Sequence, residues 1–553
     1  MIWSLKNKAT EIGYEILTRL NIVLGELVDV KLKLEPCYTG KEIFIMCGIT
    51  GTPTYDFSYK DRVVEYGVMF PKEYCRSNIL SHITFATDIY IKTSNAPYYS
   101  SPLYIWRGHR TVVLSPWRLP VLIAAAMHDD VKLNLDYMAS LIIQGYPIEG
   151  DEIHSNVMRL PINSETTITP SLAISVREHM YYDNVLDSDV DRLIALLLEA
   201  GEAFITWASN KGVEKIRIGL SGGLDSRTTS AILAEVAEKL KIIEIETYTN
   251  KSPTTDPREV EIAKEVAKVL GLRHRIIYVN SSKDNPKKIL QNMLGVIQPS
   301  KGIIADGTGG DKTLAPLGRL KWKDPGTLED TARAIITRYD YTPCSKSLHK
   351  LLMPWRVKLS KKLLQVKEKT SIGLVRRYLV ESRMANWLTA FTKPRISPFL
   401  YPQYFNYALK IKPEAKNYYV LYVKTLVKLN PKLLSIPYYN LGCKLAQNPL
   451  LQKVKLTLYF LFTSMKKVSR GQRGSLIPTK QAYEVLEKLY NVLEDRLSNI
   501  DIPSDKNSYL LNIVRKEAKE LIDEKILDAR AITVLRNILR FLAEFLFLHL
   551  SIK

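Results

Sequence analysis

The sequence predicts an α/β protein: a doubly wound parallel sheet, preceded by a smaller, mixed β-rich domain and followed by a helical region. Three observations lead there. Between residues 215 and 306, short apolar runs alternate with segments of helical period at the spacing of βα units. From residue 42 to about 180 the pattern is one of short β-like runs separated by turns. Between the first apolar run and the helix after it stands Ser221-Gly222-Gly223-Leu224-Asp225-Ser226. Small residues of this kind let backbone N–H groups approach an anion closely.

At 553 residues the chain has length for about two to four domains. Hydrophobic residues make up 46% and charged residues 24%, ordinary globular values, so extended disorder is not expected. No uncharged apolar run reaches the length of a membrane span; residues 119–127 and 541–548 come nearest. Met1-Ile2-Trp3-Ser4-Leu5 is followed by charges rather than by the apolar core of a signal peptide. The cysteines at 37, 47, 75, 344 and 443 form no Cys-x-x-Cys pair. That points away from a zinc site or a disulfide scaffold and towards a reducing cytoplasm. The net charge of +21 is concentrated: residues 341–480 hold 27 Lys and Arg against three Glu (368, 381 and 414), leaving the rest of the chain slightly acidic. Such a region suits weak binding of a polyanion, either nucleic acid or an anionic membrane face. It equally suits a solvated helical surface beside a triphosphate site.

In chain order, residues 1–45 read as an N-terminal extension with a short helical segment. Residues 46–190 form the β-rich domain. Its runs fall at 43–49, 63–70, 83–92, 103–106 and 111–114, with a hairpin turn at Arg107-Gly108-His109-Arg110 and a helical piece at 133–144. Residues 191–470 form the next unit, led by an amphipathic helix at 191–206. Its strands fall at 215–220, 242–248, 274–279 and 302–306, and its helices at 227–240, 257–270 and 285–296. Alternation at this spacing calls for a parallel sheet with helices on both faces. From 345 to 470 the pattern is helical and basic. Residues 471–553 read as amphipathic helices; Glu544 interrupts the apolar tail at 541–548, which marks a docking helix rather than an anchor.

The first loop opens a helix whose free N–H groups and dipole favour phosphate. Asp225 stands where it could hold Mg²⁺ against that phosphate. The fourth strand ends in Asp306-Gly307-Thr308-Gly309-Gly310-Asp311-Lys312. Asp311 offers a second carboxylate there, and the glycines a close backbone approach. This is no Walker A loop, because Asp311 separates the glycines from Lys312.

Residues 221–226, between strand and helix, resemble the pyrophosphate loop of enzymes that split ATP into AMP and pyrophosphate, asparagine synthetases among them. Other segments are similar to the same family. Met46-Cys47-Gly48-Ile49 resembles the start of its glutaminase half, whose N-terminal cysteine is the nucleophile. Pro102-Leu103-Tyr104-Ile105, residues 112–122, residues 135–141 and Arg159-Leu160-Pro161 resemble later parts of that half. Arg395-Ile396-Ser397-Pro398-Phe399-Leu400 is similar to an Arg-x-Pro-Phe-Leu-Asp segment. The match in order and spacing runs from about residue 46 to 440.

The resemblance implies a pyrophosphate-loop ATPase fold with the first and fourth strands at its switch point, and ATP and Mg²⁺ as cofactors. It assigns nucleotide contacts to Gly219, Leu220, Ser221, Gly222, Gly223, Asp225, Ser226, Tyr248, Thr249, Asp306 and Gly307. Asp225 and Asp311 would hold the metal, and Asp225, Asp311 and Lys424 would serve catalysis, with Tyr422 the other residue in the Lys424 register. Glu259 matches a family glutamate. Departures are visible too. Cys47 has 46 residues ahead of it, no Asn-Gly dipeptide follows it before Pro102, and the Arg-Leu-Ser segment that clamps glutamine is absent. Thr308 and Lys312 replace two glutamates of the second loop, and Tyr401 replaces an aspartate.

The expectation is an asparagine synthetase-like ligase that activates a small-molecule or peptide carboxylate, by default aspartate, as an acyl-adenylate. Ammonia or another free amine, not glutamine, then forms the amide. A lasso-cyclase- or β-lactam-synthetase-like amide ligase and a tRNA-modifying pyrophosphate-loop enzyme are the alternatives, and a homodimer is compatible with each.

Overall fold

A computed structural model describes residues 103–458 with breaks, chiefly at 252–254, 279–285, 295–302, 315–325, 386–394 and 440–442. It also describes most of 479–552 and, ahead of residue 103, one helix and seven strands. Ahead of 103 come β1 (Ile2–Ser4), α1 (Ala9–Val28), β2 (Leu34–Thr39), β3 (Ile43–Gly48), β4 (Asp56–Lys60), β5 (Val63–Gly67), β6 (Ser81–Ala86) and β7 (Tyr90–Asn95). Next are β8 (Tyr104–Arg107), β9 (Thr111–Ser115), α2 (Arg118–His128), α3 (Leu135–Gln144), β10 (Val157–Arg159), β11 (Ser164–Ile168) and β12 (Ile174–Glu178). They pair into two antiparallel sheets, ordered β10-β8-β9-β1-β3-β2 and β12-β11-β7-β6-β5-β4. Residues 1–45, read above as an extension, enter the first sheet: β1 lies between β9 and β3, and α1 packs on β1 and β3. Cys47 lies within β3, opposite Glu35 of β2; its side chain is outside the described residues.

Local chemistry accounts for the turns. At the β8–β9 hairpin the Gly108 N–H donates to the Thr111 carbonyl at 2.8 Å. A Cβ at Gly108 would come within 2.5 Å of the Trp106 ring, so only glycine fits. Asn134 caps α3 by accepting from the N–H groups of Asp136 and Tyr137, and Gly145 ends it at φ 79°.

The parallel sheet follows a long helix, α4 (Val190–Asn210), whose N-cap Asp189 accepts from the Arg192 N–H. Its elements are β13 (Lys215–Gly219), α5 (Leu224–Leu240), β14 (Glu244–Lys251), α6 (Pro257–Val269), β15 (Arg273–Tyr278), α7 (Pro286–Leu294), β16 (Ile303–Ala305), α8 (Gly310–Leu314) and β17 (Arg395–Ile396). The order is β15-β14-β13-β16-β17, with every pair parallel. The order reverses between β13 and β16, so the first and fourth strands lie side by side and their loops open at one edge. Ile216, Ile218, Ile245, Ile303 and Ala305 pack in one core with the buried faces of α4, α5 and α6.

A second core joins the two ends of the chain. It gathers α1, α2, α3 and the helices Thr479–Ser498, Lys506–Asp523 and Ala529–Ile552. α7 also belongs here: Leu290 and Leu294 are buried in this core, away from the sheet that the helix connects. Glu544, the charge that interrupts the apolar tail, is buried and accepts from Arg118 at 2.7 Å and from the Tyr137 hydroxyl at 2.5 Å.

Where the antiparallel sheets meet the parallel half, buried ions face each other. Arg377 pairs with Glu149, Glu178 and Glu368 at 2.9, 2.6 and 3.4 Å. One turn further on, Glu381 accepts from the Tyr182 hydroxyl at 3.0 Å and the Ile162 N–H at 3.1 Å, with Arg159 at 4.0 Å. Burial outweighs these partners and pushes the Glu381 carboxyl up from 4.5 to about 7. The folded state then holds a proton that the unfolded state releases, so stability falls as pH rises from about 4.5 to about 7. Glu381→Gln removes this titration while keeping a hydrogen-bonding side chain. Thermal melting across that window should therefore show a shallower pH slope for the variant than for the wild type, and equal slopes would count against the assignment.

Candidate active site

The strand β13 stops at Gly219 because the next residues are diverted into the first loop. Leu220 is held from both directions: its N–H donates to the Tyr248 carbonyl at 2.8 Å, and its carbonyl accepts from the Thr249 hydroxyl at 2.6 Å. Ser221 and Ser226 close the loop on itself. The Ser226 Oγ accepts from the Ser221 N–H at 3.1 Å and lies 3.0 Å from the Ser221 Oγ, which in turn accepts from the Gly223 N–H. Gly223 is the N-cap of α5 and gives it no side-chain cap, so the first turn keeps donors free for an anion.

The second loop is pressed against this turn. A Cβ on Gly307 would sit 2.5 Å from the backbone carbon and Cβ of Asp225, and one on Gly310 would sit 2.9 Å from Asp225 Oδ1. Asp306 shapes the loop: its carboxylate accepts from the Thr308 N–H at 2.9 Å, and its carbonyl accepts from the Thr229 hydroxyl of α5. Asp225 is thereby brought to Asp311, whose backbone N–H donates to the Asp225 carboxylate. Burial, and then the negative charge of Asp311, push the Asp225 carboxyl up to about 7. The Asp311 carboxylate is about half exposed and pairs with Lys312.

Lys424 does not join them. It is exposed on the helix Val420–Leu429, whereas Tyr422 of the same helix is buried and donates its hydroxyl to Asp225 Oδ1. Two residues along a helix are 200° apart, so only one of the pair can face the site. Of the two residues weighed for that register, the tyrosine faces it. Tyr248 sits over Gly219, with its hydroxyl 3.5 Å from where a Cβ would be.

Sequence reasoning missed a strap. Arg227, fully buried in α5, donates to the carbonyls of Leu433, Ile436 and Pro437 at 2.9, 3.0 and 2.8 Å. This fixes the segment that carries Tyr439 over the first loop. The Tyr439 N–H donates to the Gly222 carbonyl at 3.1 Å, and a Cβ on Gly222 would come within 2.5 Å of the Tyr439 Cβ. On the other side the Gly222 N–H donates to Glu259, whose carboxyl is raised by burial. Nothing in the residue pattern announces Arg227 or Tyr439, since the pairing spans about two hundred positions.

The donors, hydroxyls and two carboxylates suit a polyphosphate with a divalent cation. Among the described residues no group of three or more His, Cys, Asp or Glu assembles, so phosphate oxygens would complete the shell of a cation held by Asp225 and Asp311. Because the space at Gly310 is filled by Phe399, Tyr422 and Asp225 at 2.8–2.9 Å, Gly310→Ala should lower stability by about 1–3 kcal/mol. Gly25→Ala in α1, with nothing within 4 Å, should raise it by up to about 1 kcal/mol. Melting temperatures of the two variants test the contrast, and a tolerated Gly310→Ala would mean that the site is loosely packed.

The family model described as asparagine synthase matches residues 214–292. That span covers β13 to most of α7, including the first loop but not the second loop or Tyr422. No curated protein matches the chain. Among solved structures, the chain is similar to glutamine-dependent NAD+ synthetase from Acinetobacter baumannii, at 20% identity over 27% of this chain and 25% of that one, with a TM-score of 0.16. It is similar to NMN synthetase from Francisella tularensis, at 15% identity over 34% and 78%, TM-score 0.18. It is also similar to the U34-tRNA thiolase from Methanococcus maripaludis, at 12% identity over 59% and 87%, TM-score 0.20. The chain thus spans a quarter of the length of the Acinetobacter protein. The asparagine synthase match, confined to 214–292, falls on β13 and the first loop of the candidate site and stops short of β16 and the second loop.

Proposed function

We propose that the chain is an ATP-dependent ligase of the asparagine synthetase type, which joins a carboxylate to an amine with release of AMP and pyrophosphate. The observation that carries this reading is the meeting of the 221–226 loop with Asp311 at adjacent tips of β13 and β16. The N–H groups at the start of α5, with Ser221 and Ser226, would bind the β- and γ-phosphates of ATP, and Tyr248 and Thr249 would border the nucleoside. Asp225 and Asp311 would hold Mg²⁺, which when bound offsets negative charge on the pyrophosphate. The substrate carboxylate attacks the α-phosphorus and expels pyrophosphate, giving an acyl-adenylate; the amine then attacks the acyl carbon and AMP leaves. Tyr422 positions Asp225 by holding its carboxylate.

Aspartate and ammonia are the first substrates to try. Tyr401 gives no help in recognising either, because it is buried and donates its hydroxyl to Glu199 at 2.7 Å. The basic region lends little weight to a tRNA substrate. At least five of its 27 cations are engaged within the chain: Lys358 with Asp136, Lys362 with Asp151, Arg377 with three glutamates, Lys412 with Asp187 and Lys428 with Asp191.

Purified protein with ATP, candidate acids and labelled pyrophosphate should catalyse pyrophosphate exchange, strictly dependent on one acid. Asp225→Ala and Asp311→Ala should each lower the rate by about a hundredfold or more, since both act on transition-state charge. ADP and phosphate as products would overturn the reaction class.

The nitrogen donor is the second expectation. The Cys47 amine lies in a peptide bond within β3 and cannot act as a base for the thiol. Ammonium should therefore support amide formation and glutamine should not. Glutamine hydrolysis that vanishes in Cys47→Ala would reverse this reading.

A further inference from the structure

We propose that residues 450–458 form a docking face for an anionic lipid surface. The segment is helical, and its inner face is anchored: Gln452 and Leu456 are fully buried, and the Gln452 side chain accepts from the Ala446 N–H at 2.7 Å. The Asn448 side chain caps the start of the helix through the N–H groups of Leu450 and Leu451. The outward face is apolar. Leu450, Leu451, Val454 and Leu458 are 70%, 58%, 50% and 49% exposed.

At 100° per residue these four side chains fall within an arc of about 100°. Lys453 and Lys455 stand at its two borders, one on each side. Isolated exposed leucines need no explanation, but four on one helical stripe, flanked by lysines, make the pattern of a helix lying in a membrane interface. No helix among the described residues is long and apolar enough to cross a membrane. The contact proposed here is therefore superficial.

Charge selects the partner. From 415 to 483 the sequence holds twelve Lys and Arg and no Asp or Glu. Lys416 is buried, Lys428 pairs with Asp191 and the Lys455 ammonium donates to the Lys444 carbonyl, while Lys453 stands exposed beside the stripe and four more basic residues, Lys466, Lys467, Arg470 and Arg473, follow in the sequence. Phosphate headgroups of anionic lipid would meet Lys453 and be drawn by the excess positive charge of this stretch of sequence, while the acyl region accepts the leucines. RNA fits less well. Aliphatic side chains neither hydrogen-bond to phosphate nor stack on bases, so the stripe would gain nothing from it.

The test is flotation of the full chain with phosphatidylcholine vesicles, with and without phosphatidylserine. The chain should float with the anionic vesicles only, and less at raised salt. Leu451→Asp with Val454→Asp should lower the bound fraction about tenfold or more. Leu451→Gln with Val454→Gln, kinder to the helix, should lower it in the same direction with an unchanged melting temperature. Lys453→Glu with Lys455→Glu should weaken the response to phosphatidylserine. The proposal fails if the wild type does not float, as it would if other parts of this chain cover the stripe. It fails equally if the apolar variants float like the wild type, if the stripe instead holds two copies together in light scattering, or if those variants lose RNA binding rather than lipid binding.

Discussion

The site depends on how closely one backbone can approach another. The loop after β16 runs against the first turn of α5 with no room for a side chain at Gly307 or Gly310. This contact sets Asp311 beside Asp225, buries the Asp225 carboxylate and lets Tyr422 reach it from a helix far along the chain. Burial raises the Asp225 carboxyl first, and the negative charge of Asp311 beside it raises it further. A cation between them would counter that rise. The arrangement is thus pre-stressed in favour of the charge it is proposed to hold. The Arg227 strap completes it from the other side by fixing Tyr439 over Gly222.

Charge also organises the larger assembly. The sequence divides into a basic stretch and a slightly acidic remainder, and the two parts meet. Lys358, Lys362, Arg377, Lys412 and Lys428 each find an acid between residues 136 and 191, or at Glu368. Those at the surface contribute little one by one, but the buried set around Arg377 would be costly to break. Part of the excess that suggests a polyanion from composition alone is therefore spent on internal complementarity.

Residues that act locally were legible in the sequence, and those that act at a distance were not. The strands and helices of the parallel sheet follow from apolar runs and helical period, and their ends differ from the expected ones by a few residues at most positions. α2 escaped because Arg118 through Ala126 are all buried, and a helix buried all round has no polar face to give it a period. β1 escaped because three residues carry no pattern; only its partners β9 and β3 define it. The two aspartates stand in recognisable loops. Tyr422 could be told from Lys424 only by knowing which side of the helix turns inward.

The second core has a consequence for how the protein comes to be made. α1 and the helix Ala529–Ile552 pack against each other, although they stand at opposite ends of the sequence. At roughly 5–20 residues per second, some 25–100 seconds of synthesis separate them. Throughout that interval α1 lacks one of the helices it packs on, while its neighbours α2 and α7 are made much sooner. The parallel sheet, whose pairings lie within a shorter span, can form sooner. The contact between α1 and the helix Ala529–Ile552 would therefore close after that sheet has formed.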